Sequence, residues 1–248
     1  MTTRRSSSER RKVSRPAGDV DARAQVALAL RYEKGNGRRP DFRKAVELYK
    51  KAASQGDSQA QVNLGLAYAL GRGVSKDRRK ANSLYRGAAR AGNPIAMYNI
   101  GIVYLDGLGV RRDAKRARQW FERAAKLGDT DAASILGDLY RDGIGGRVDH
   151  RKSFGYYTIA ARAGNDEAQL GMGYAYFYGR GVRRDARKAL AWYKKSAKLG
   201  NQWAMVNIGL MYQAAAQTPS NRRLADHWFK RAALLGNERA ANLIAAGA

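Results

Sequence analysis

The sequence contains no cysteine, which excludes disulfide bridges and thiolate metal sites and fits a reducing compartment. It has two histidines, His150 and His227, and neither has a Ser, Cys or carboxylate partner at a recognisable catalytic spacing. No stretch approaches the about 18 consecutive apolar residues that a bilayer-spanning helix requires. The Arg4-Arg5 pair is not followed by the apolar run of an export signal. These absences lead to the expectation of a cytoplasmic protein without integral membrane association, catalysis or cofactors. Carboxylates are also scarce: 21 Asp and Glu stand against 47 Lys and Arg, for a formal net charge of +26.

What the sequence does have is a ruler. Tyr32, Tyr68, Tyr104, Tyr140, Tyr176 and Tyr212 lie 36 residues apart with no insertion or deletion. The same spacing relates Ala24, Ala60, Ala96, Ala132, Ala168, Ala204 and Ala240, and the small residues Ala29, Gly65, Gly101, Gly137, Gly173 and Gly209. One globular core cannot impose such a register, whereas stacked copies present equivalent residues to equivalent neighbours. Units are separated at Gly56, Gly92, Gly128, Gly164, Gly200 and Gly236, each followed by Asp or Asn. Glycine adopts the left-handed conformation that ends a helix, and Asp or Asn accepts hydrogen bonds from the free N–H groups of the next one. A second break recurs inside the unit as Gly71-Arg72-Gly73-Val74, Gly107-Leu108-Gly109-Val110 and Gly179-Arg180-Gly181-Val182, followed by Asp77, Asp113 or Asp185.

Each unit is therefore expected to be two antiparallel helices, A and B. In the second unit A runs from about Asp57 to Leu70 and B from about Asp77 to Ala91. Leu64, Gly65 and Tyr68 share one face of A at helical spacing. The inward residues of B are Leu84, Tyr85, Ala88 and Ala89, with Trp120, Phe121, Ala124 and Ala125 or Trp192 and Tyr193 as counterparts, so the aromatics read as mostly core. The ruler tyrosines, Tyr104 among them, are expected to be buried. Glycine within a helix costs about 0.5–1 kcal/mol relative to alanine, so its recurrence implies close approach of neighbouring helices.

The pattern Ala-x-x-x-Leu-Gly-x-x-Tyr, then Gly-x-Gly-Val-x-x-Asp, Lys-Ala, an aromatic pair and Ala-Ala-x-x-Gly resembles the Sel-one-like repeat (SLR) family, relatives of the tetratricopeptide solenoids. Ala168 to Gly200 reproduces it, with Met172 for the Leu and Ser196-Ala197 for the Ala-Ala. The resemblance covers residues 20–248 and implies an all-α, right-handed superhelical solenoid of 36-residue helix pairs, acting as a protein–protein scaffold or adaptor. Residues 1–19 read as a basic disordered tail, residues 20–235 as six repeats, and residues 236–248 as a C-terminal capping helix. In the sixth unit Ala214-Ala215-Ala216-Gln217-Thr218-Pro219-Ser220 replaces the glycine loop, so helix A is expected to run longer before Pro219 stops it.

Two surfaces are candidates for binding. Cations recur at the A-to-B junction: Arg38 and Arg39; Lys76, Arg78 and Arg79; Arg111 and Arg112; Arg147 and Arg151; Arg183 and Arg184; Arg222 and Arg223. Equivalent loops of a solenoid lie on one rim, so these groups form either a solvated edge or a ladder attracting an acidic protein, nucleic acid or an anionic membrane surface, which charge alone does not separate. Such contact with nucleic acid would be non-specific, because the arginine-rich loops contain almost no aromatics for stacking. In related helical repeats the A helices line the concave surface, which makes the variable A-helix positions candidates for binding a protein or peptide: Asn63, Ile95, Tyr98, Asn99, Tyr174, Phe177, Tyr178, Trp203 and Asn207. These side chains are either anchors for a partner or packing between units. The repeated aspartates Asp41, Asp77, Asp113, Asp149 and Asp185 read as helix caps, with no pairing for acid–base chemistry.

Overall fold

The computed structural model describes residues 21–35, 37, 39–215 and 218–246, and among them holds thirteen α-helices and no strand. The A helices are α1 (Ala22–Lys34), α3 (Ser58–Leu70), α5 (Pro94–Asp106), α7 (Thr130–Asp142), α9 (Asp166–Tyr178) and α11 (Gln202–Ala214). The B helices are α2 (Phe42–Ser54), α4 (Arg78–Arg90), α6 (Ala114–Lys126), α8 (His150–Arg162), α10 (Ala186–Lys198) and α12 (Pro219–Leu234), and α13 (Glu238–Ala245) follows. Each A helix packs on the B helix of its own unit and each B helix on the next A helix, giving an all-α solenoid of helix pairs. The basic segment 1–19 and Arg38 lie outside the described residues.

The punctuation acts as the sequence implies. Asp57, Asn93, Asp129, Asn165, Asn201 and Asn237 each accept a hydrogen bond from the N–H three residues on, at the start of an A helix. Asp41, Asp77, Asp113, Asp149 and Asp185 do the same for the B helices. The second glycine of the loop has a further duty. At Gly73, Gly145 and Gly181 an added Cβ would run into a backbone carbonyl at the start of the preceding B helix, that of Phe42, Ala114 or His150. In these three units the loop thus seats on the unit before it.

The helical glycines make room for rings. A Cβ on Gly65, Gly101, Gly137, Gly173 or Gly209 would meet the ring of Tyr85, Phe121, Tyr157, Tyr193 or Phe229, all buried B-helix side chains of the same unit. These rings, with Tyr49 in the first unit, are the centre of each unit's core. The ruler tyrosines lie nearer the edge than expected: Tyr68 and Tyr140 are buried, but Tyr32, Tyr104, Tyr176 and Tyr212 are only half-buried. Their faces carry a cation from the first turn of the B helix: Lys44 on Tyr32, Lys80 on Tyr68, Arg116 on Tyr104, Lys152 on Tyr140 and Lys188 on Tyr176, at 4.6–5.7 Å. Trp120 and Trp192 are likewise half-buried, not core.

The sixth unit departs from expectation. Helix α11 ends at Ala214, as long as its counterparts, and Pro219 opens α12. Proline suits the first helical turn because its missing N–H has no partner there in any case. The Thr218 hydroxyl accepts from the Asn221 N–H, and the Asn221 side-chain amide donates to the Ala215 carbonyl at 2.6 Å, closing the loop without glycine.

Candidate binding surfaces

The A helices form the inner layer: α1 touches α3 and α7 touches α9, while α4 and α6 in the outer layer are separated by a groove. Along an A helix the positions pointing away from the B layer recur at i, i+4, i+7 and i+11, as Ile95, Asn99, Ile102 and Asp106 do in α5. The concave candidates divide there. Tyr178, Trp203 and Ile95 are exposed at 56%, 49% and 43%. Tyr98 is half-buried with its ring edge-on to Phe121, and burial first, then Asp131 and Asp129, pushes its hydroxyl above its ordinary pKa. Tyr174 is half-buried, stacked on Tyr178 and edge-on to Tyr193, and Phe177 lies edge-on to Tyr178. Unit five therefore holds an aromatic cluster rooted in the core and open at Tyr178.

The asparagines are less uniform. Asn63 accepts from the Gln59 side chain at 3.0 Å and Asn99 donates to the Ile95 carbonyl at 2.9 Å. The Asn207 side-chain nitrogen is buried with no hydrogen-bond partner among the described residues.

The same inner face carries groups that the sequence reading passed over. Leu66 and Leu70 are exposed. Asp131, Asp138, Asp142 and Glu167 make the surface over α7 and α9 acidic. A single guanidinium serves two of these: Arg141 meets Asp138 at 2.7 Å and Asp142 at 2.7 Å, and donates to the Tyr157 hydroxyl, which donates to Asp138. The hydrogen bond from Arg141 holds the Asp142 carboxyl below its ordinary value, while burial first, then Asp138, pushes the Tyr157 hydroxyl well up. Burial, reinforced by Asp166 and Asp138, raises Glu167. Beside this network a cavity of about 400 Å³ opens between Arg141, His150, Tyr157, Tyr174 and Tyr178. Gly171 lines it, where a Cβ would strike the Tyr157 ring, at the position at which the other A helices carry Ala27, Asn63, Asn99, Ile135 and Asn207. The detectable signal was that one small residue at an otherwise side-chain-bearing register position.

On the opposite, A-to-B edge, Arg39, Lys76, Arg78, Arg79, Arg111, Arg112, Arg147, Arg151, Arg183, Arg184, Arg222 and Arg223 are all exposed. Two have local duties: Arg112 donates to the Leu105 carbonyl at the end of α5, and Arg184 lies over Phe177 at 5.9 Å. His150 and His227 sit on separate units, in α8 and α12. Among the described residues no group of three or more His, Asp or Glu is placed to hold a metal ion, and no helix is long and apolar enough to cross a membrane.

Stacked helix pairs with an inner layer of variable side chains define an α-solenoid of the kind that presents a long binding surface. The Sel1 repeat model matches residues 22–57, 58–93, 94–129, 130–165, 166–201 and 204–237, and the chain belongs to the Sel1 repeat family. Similar solved structures include a Sel1 repeat protein from Oxalobacter formigenes, 36% identical, with a TM-score of 0.74 over 86% of this chain and 85% of that one. Another is c5321, a protective antigen of uropathogenic Escherichia coli with an SLR fold, 32% identical, with a TM-score of 0.79. That match covers 88% of this chain but 47% of c5321, so the chain spans about half the length of that relative. The immunity protein Pa5087 of Pseudomonas aeruginosa is 25% identical with a TM-score of 0.53, over 88% of this chain and 83% of its own. No curated protein matches the sequence.

Proposed function

We propose that the protein is a non-enzymatic scaffold that holds a protein or peptide partner along the face formed by its A helices. The observation carrying this reading is the exposure of Ile95, Tyr178 and Trp203 on that face, with Tyr178 at the open edge of the cluster it forms with Tyr174 and Phe177. Aromatic anchors on rigid helices contribute large contact area at little entropic cost. Membership of the Sel1 repeat family supports a protein-binding role. The carboxylates over α7 and α9 oppose an acidic segment at the centre of the groove, so acidic parts of a partner belong at the cationic A-to-B rim.

The test is affinity capture with the full-length chain from nuclease-treated lysate, washed at low and high salt. A partner identified there is then titrated against Tyr178→Ala and Trp203→Ala. The expected result is weaker binding with an almost unchanged melting temperature. Binding unchanged in both variants sinks the concave site; a large fall in melting temperature reassigns these side chains to structure.

A further inference from the structure

The positive charge is concentrated in the outer layer. Helices α3 and α11 carry no charged side chain, α5 has only Asp106, α9 only Asp166 and Glu167, and α7 sets Asp131, Asp138 and Asp142 against Arg141, which leaves α1, with Arg23, Arg31 and Lys34 against Glu33, as the one basic A helix. In the B layer α4 carries Arg78, Arg79, Lys80, Arg86 and Arg90, and α10 carries Arg187, Lys188, Lys194, Lys195 and Lys198, neither with a carboxylate. The cations therefore extend beyond the rim onto the outer faces of the B helices.

One stripe of them lies in a groove with an aromatic wall. Between α4 and α6 an open groove of about 590 Å³ is lined by Arg79, Ser83, Arg86 and Arg90 on one side and Trp120 on the other. The three arginines fall on one stripe of α4, spanning roughly 16 Å at the helical rise. They are exposed and make no ion pair among the described residues. Trp120 is half-buried and lies 4.7 Å from the Arg123 guanidinium. The register repeats the arrangement: Trp192 pairs with Lys195 at 4.1 Å and Trp228 with Arg231 at 4.8 Å. At the positions equivalent to the α4 stripe, α8 carries Arg151 and Arg162 in the unit before Trp192, and α10 carries Arg187, Lys194 and Lys198 in the unit before Trp228, with Lys194 lying 5.9 Å from the Tyr212 ring.

We propose that the groove between α4 and α6, continued by its register equivalents beside Trp192 and Trp228, binds single-stranded nucleic acid, the cations taking phosphates and the indoles taking bases. Single strands are held by a positively charged groove that tracks the backbone and by aromatic platforms that accept any base. A duplex is a rigid cylinder whose bases are already stacked, and it would meet the outer face convex against convex. An anionic bilayer would touch only the crests of that face, leaving the recessed indoles unused. This surface is separate from the concave face and does not depend on a protein partner.

The test uses the full-length chain with fluorescein-labelled oligo(dT) and oligo(U), a matched duplex, and phosphatidylcholine–phosphatidylserine vesicles. Units one and two carry Leu48 and Leu84 where units three, five and six place Trp120, Trp192 and Trp228 and unit four places Tyr156, so leucine is a substitution the fold already accepts there. The expected result is that at least one single strand binds more tightly than the duplex and quenches tryptophan emission. The combined Trp120→Leu, Trp192→Leu, Trp228→Leu variant should then lose at least about tenfold in affinity, the lower range of stacking contributions from several bases. Arg86→Ala with Arg90→Ala should weaken binding and flatten its salt dependence. If the triple variant does not fold, this exposed arginine pair and the single-strand preference decide the matter. The proposal is overturned if the duplex binds as well as the strands and the folded tryptophan variant is unaffected, or if vesicles bind and neither oligonucleotide does.

Discussion

Replacing Gly101 by alanine tests whether the helical glycines exist for the rings opposite them. A Cβ at Gly101 would lie 2.6 Å from Cε1 and 2.7 Å from Cδ1 of Phe121, a side chain with no exposed surface and an edge-on neighbour in Tyr98. Helix propensity alone favours alanine by about 1 kcal/mol. Overpacking a filled core costs about 1–3 kcal/mol, so the expected net effect is a loss of up to about 2 kcal/mol. Removing the ring should reverse the sign: in a Phe121→Leu background, Gly101→Ala should stabilise, and the double-mutant cycle should show a coupling of about 1–3 kcal/mol. Urea denaturation followed by circular dichroism provides the stabilities. Hydrogen exchange of the α5 amides shows whether a loss is local, since stacked repeats can open unit by unit. The first unit carries Ala29 at the register position of Gly101, in the unit whose core ring is Tyr49. If Gly101→Ala stabilises the protein equally in both backgrounds, ring clearance is not why glycine is there.

Phe121→Ala should cost about 3–5 kcal/mol, as for a fully buried aromatic, and Tyr104→Ala clearly less because Tyr104 is half-buried under Arg116; equal losses in urea denaturation would contradict the assigned core. Gly181→Ala should lower the melting temperature more than Gly200→Ala. Both have positive φ, but a Cβ at Gly181 would strike the His150 carbonyl, whereas nothing lies within 4 Å of one at Gly200. The carboxyl of Asp142 titrates below its ordinary value because Arg141 donates to it. Its stabilising contribution is therefore complete above the ordinary carboxylate pKa and lost as pH falls through the lowered value. Acid titrations of the parent and Arg141→Gln by NMR should show the Asp142 midpoint moving up in the variant.

The repeat register, the helix breaks and the caps were legible because each depends on a local residue preference repeated at one spacing: glycine at positive φ, and Asp or Asn at an N-terminus. The depth of the tyrosines was not. Tyr104 and Phe121 are both aromatic on an apolar helical face, and periodicity cannot say which ring faces Gly101 and which sits beneath Arg116. Pro219 was misread because proline ends one helix and begins another equally well; its role depends on Thr218 capping the helix that follows. On the inner face, candidates such as Tyr178 and Trp203 were visible as exceptions to the repeat pattern. The Asp138–Arg141–Asp142–Tyr157 network was not, because it joins residues of two helices whose relative rotation only packing determines.

The sorting of charge by layer follows from the geometry of the stack. An A helix is flanked by B helices and by the A helices of adjacent units, so charge is confined to its inner stripe and its ends, as with Asp131, Asp138 and Asp142 of α7, because elsewhere it would be costly to desolvate. A B helix leaves a broad stripe in solvent, where lysine and arginine are tolerated at little cost. Tolerance alone would admit either sign. Yet α4 and α10 contain no carboxylate at all, and in these two helices the i,i+4 ion pairs that stabilise solvent-facing helices are forgone. Uncompensated like charges on neighbouring helices repel and work against compactness. Their persistence beside half-buried indoles is better accounted for by an anionic partner that offsets the repulsion when bound than by solubility, which mixed charges would supply as well.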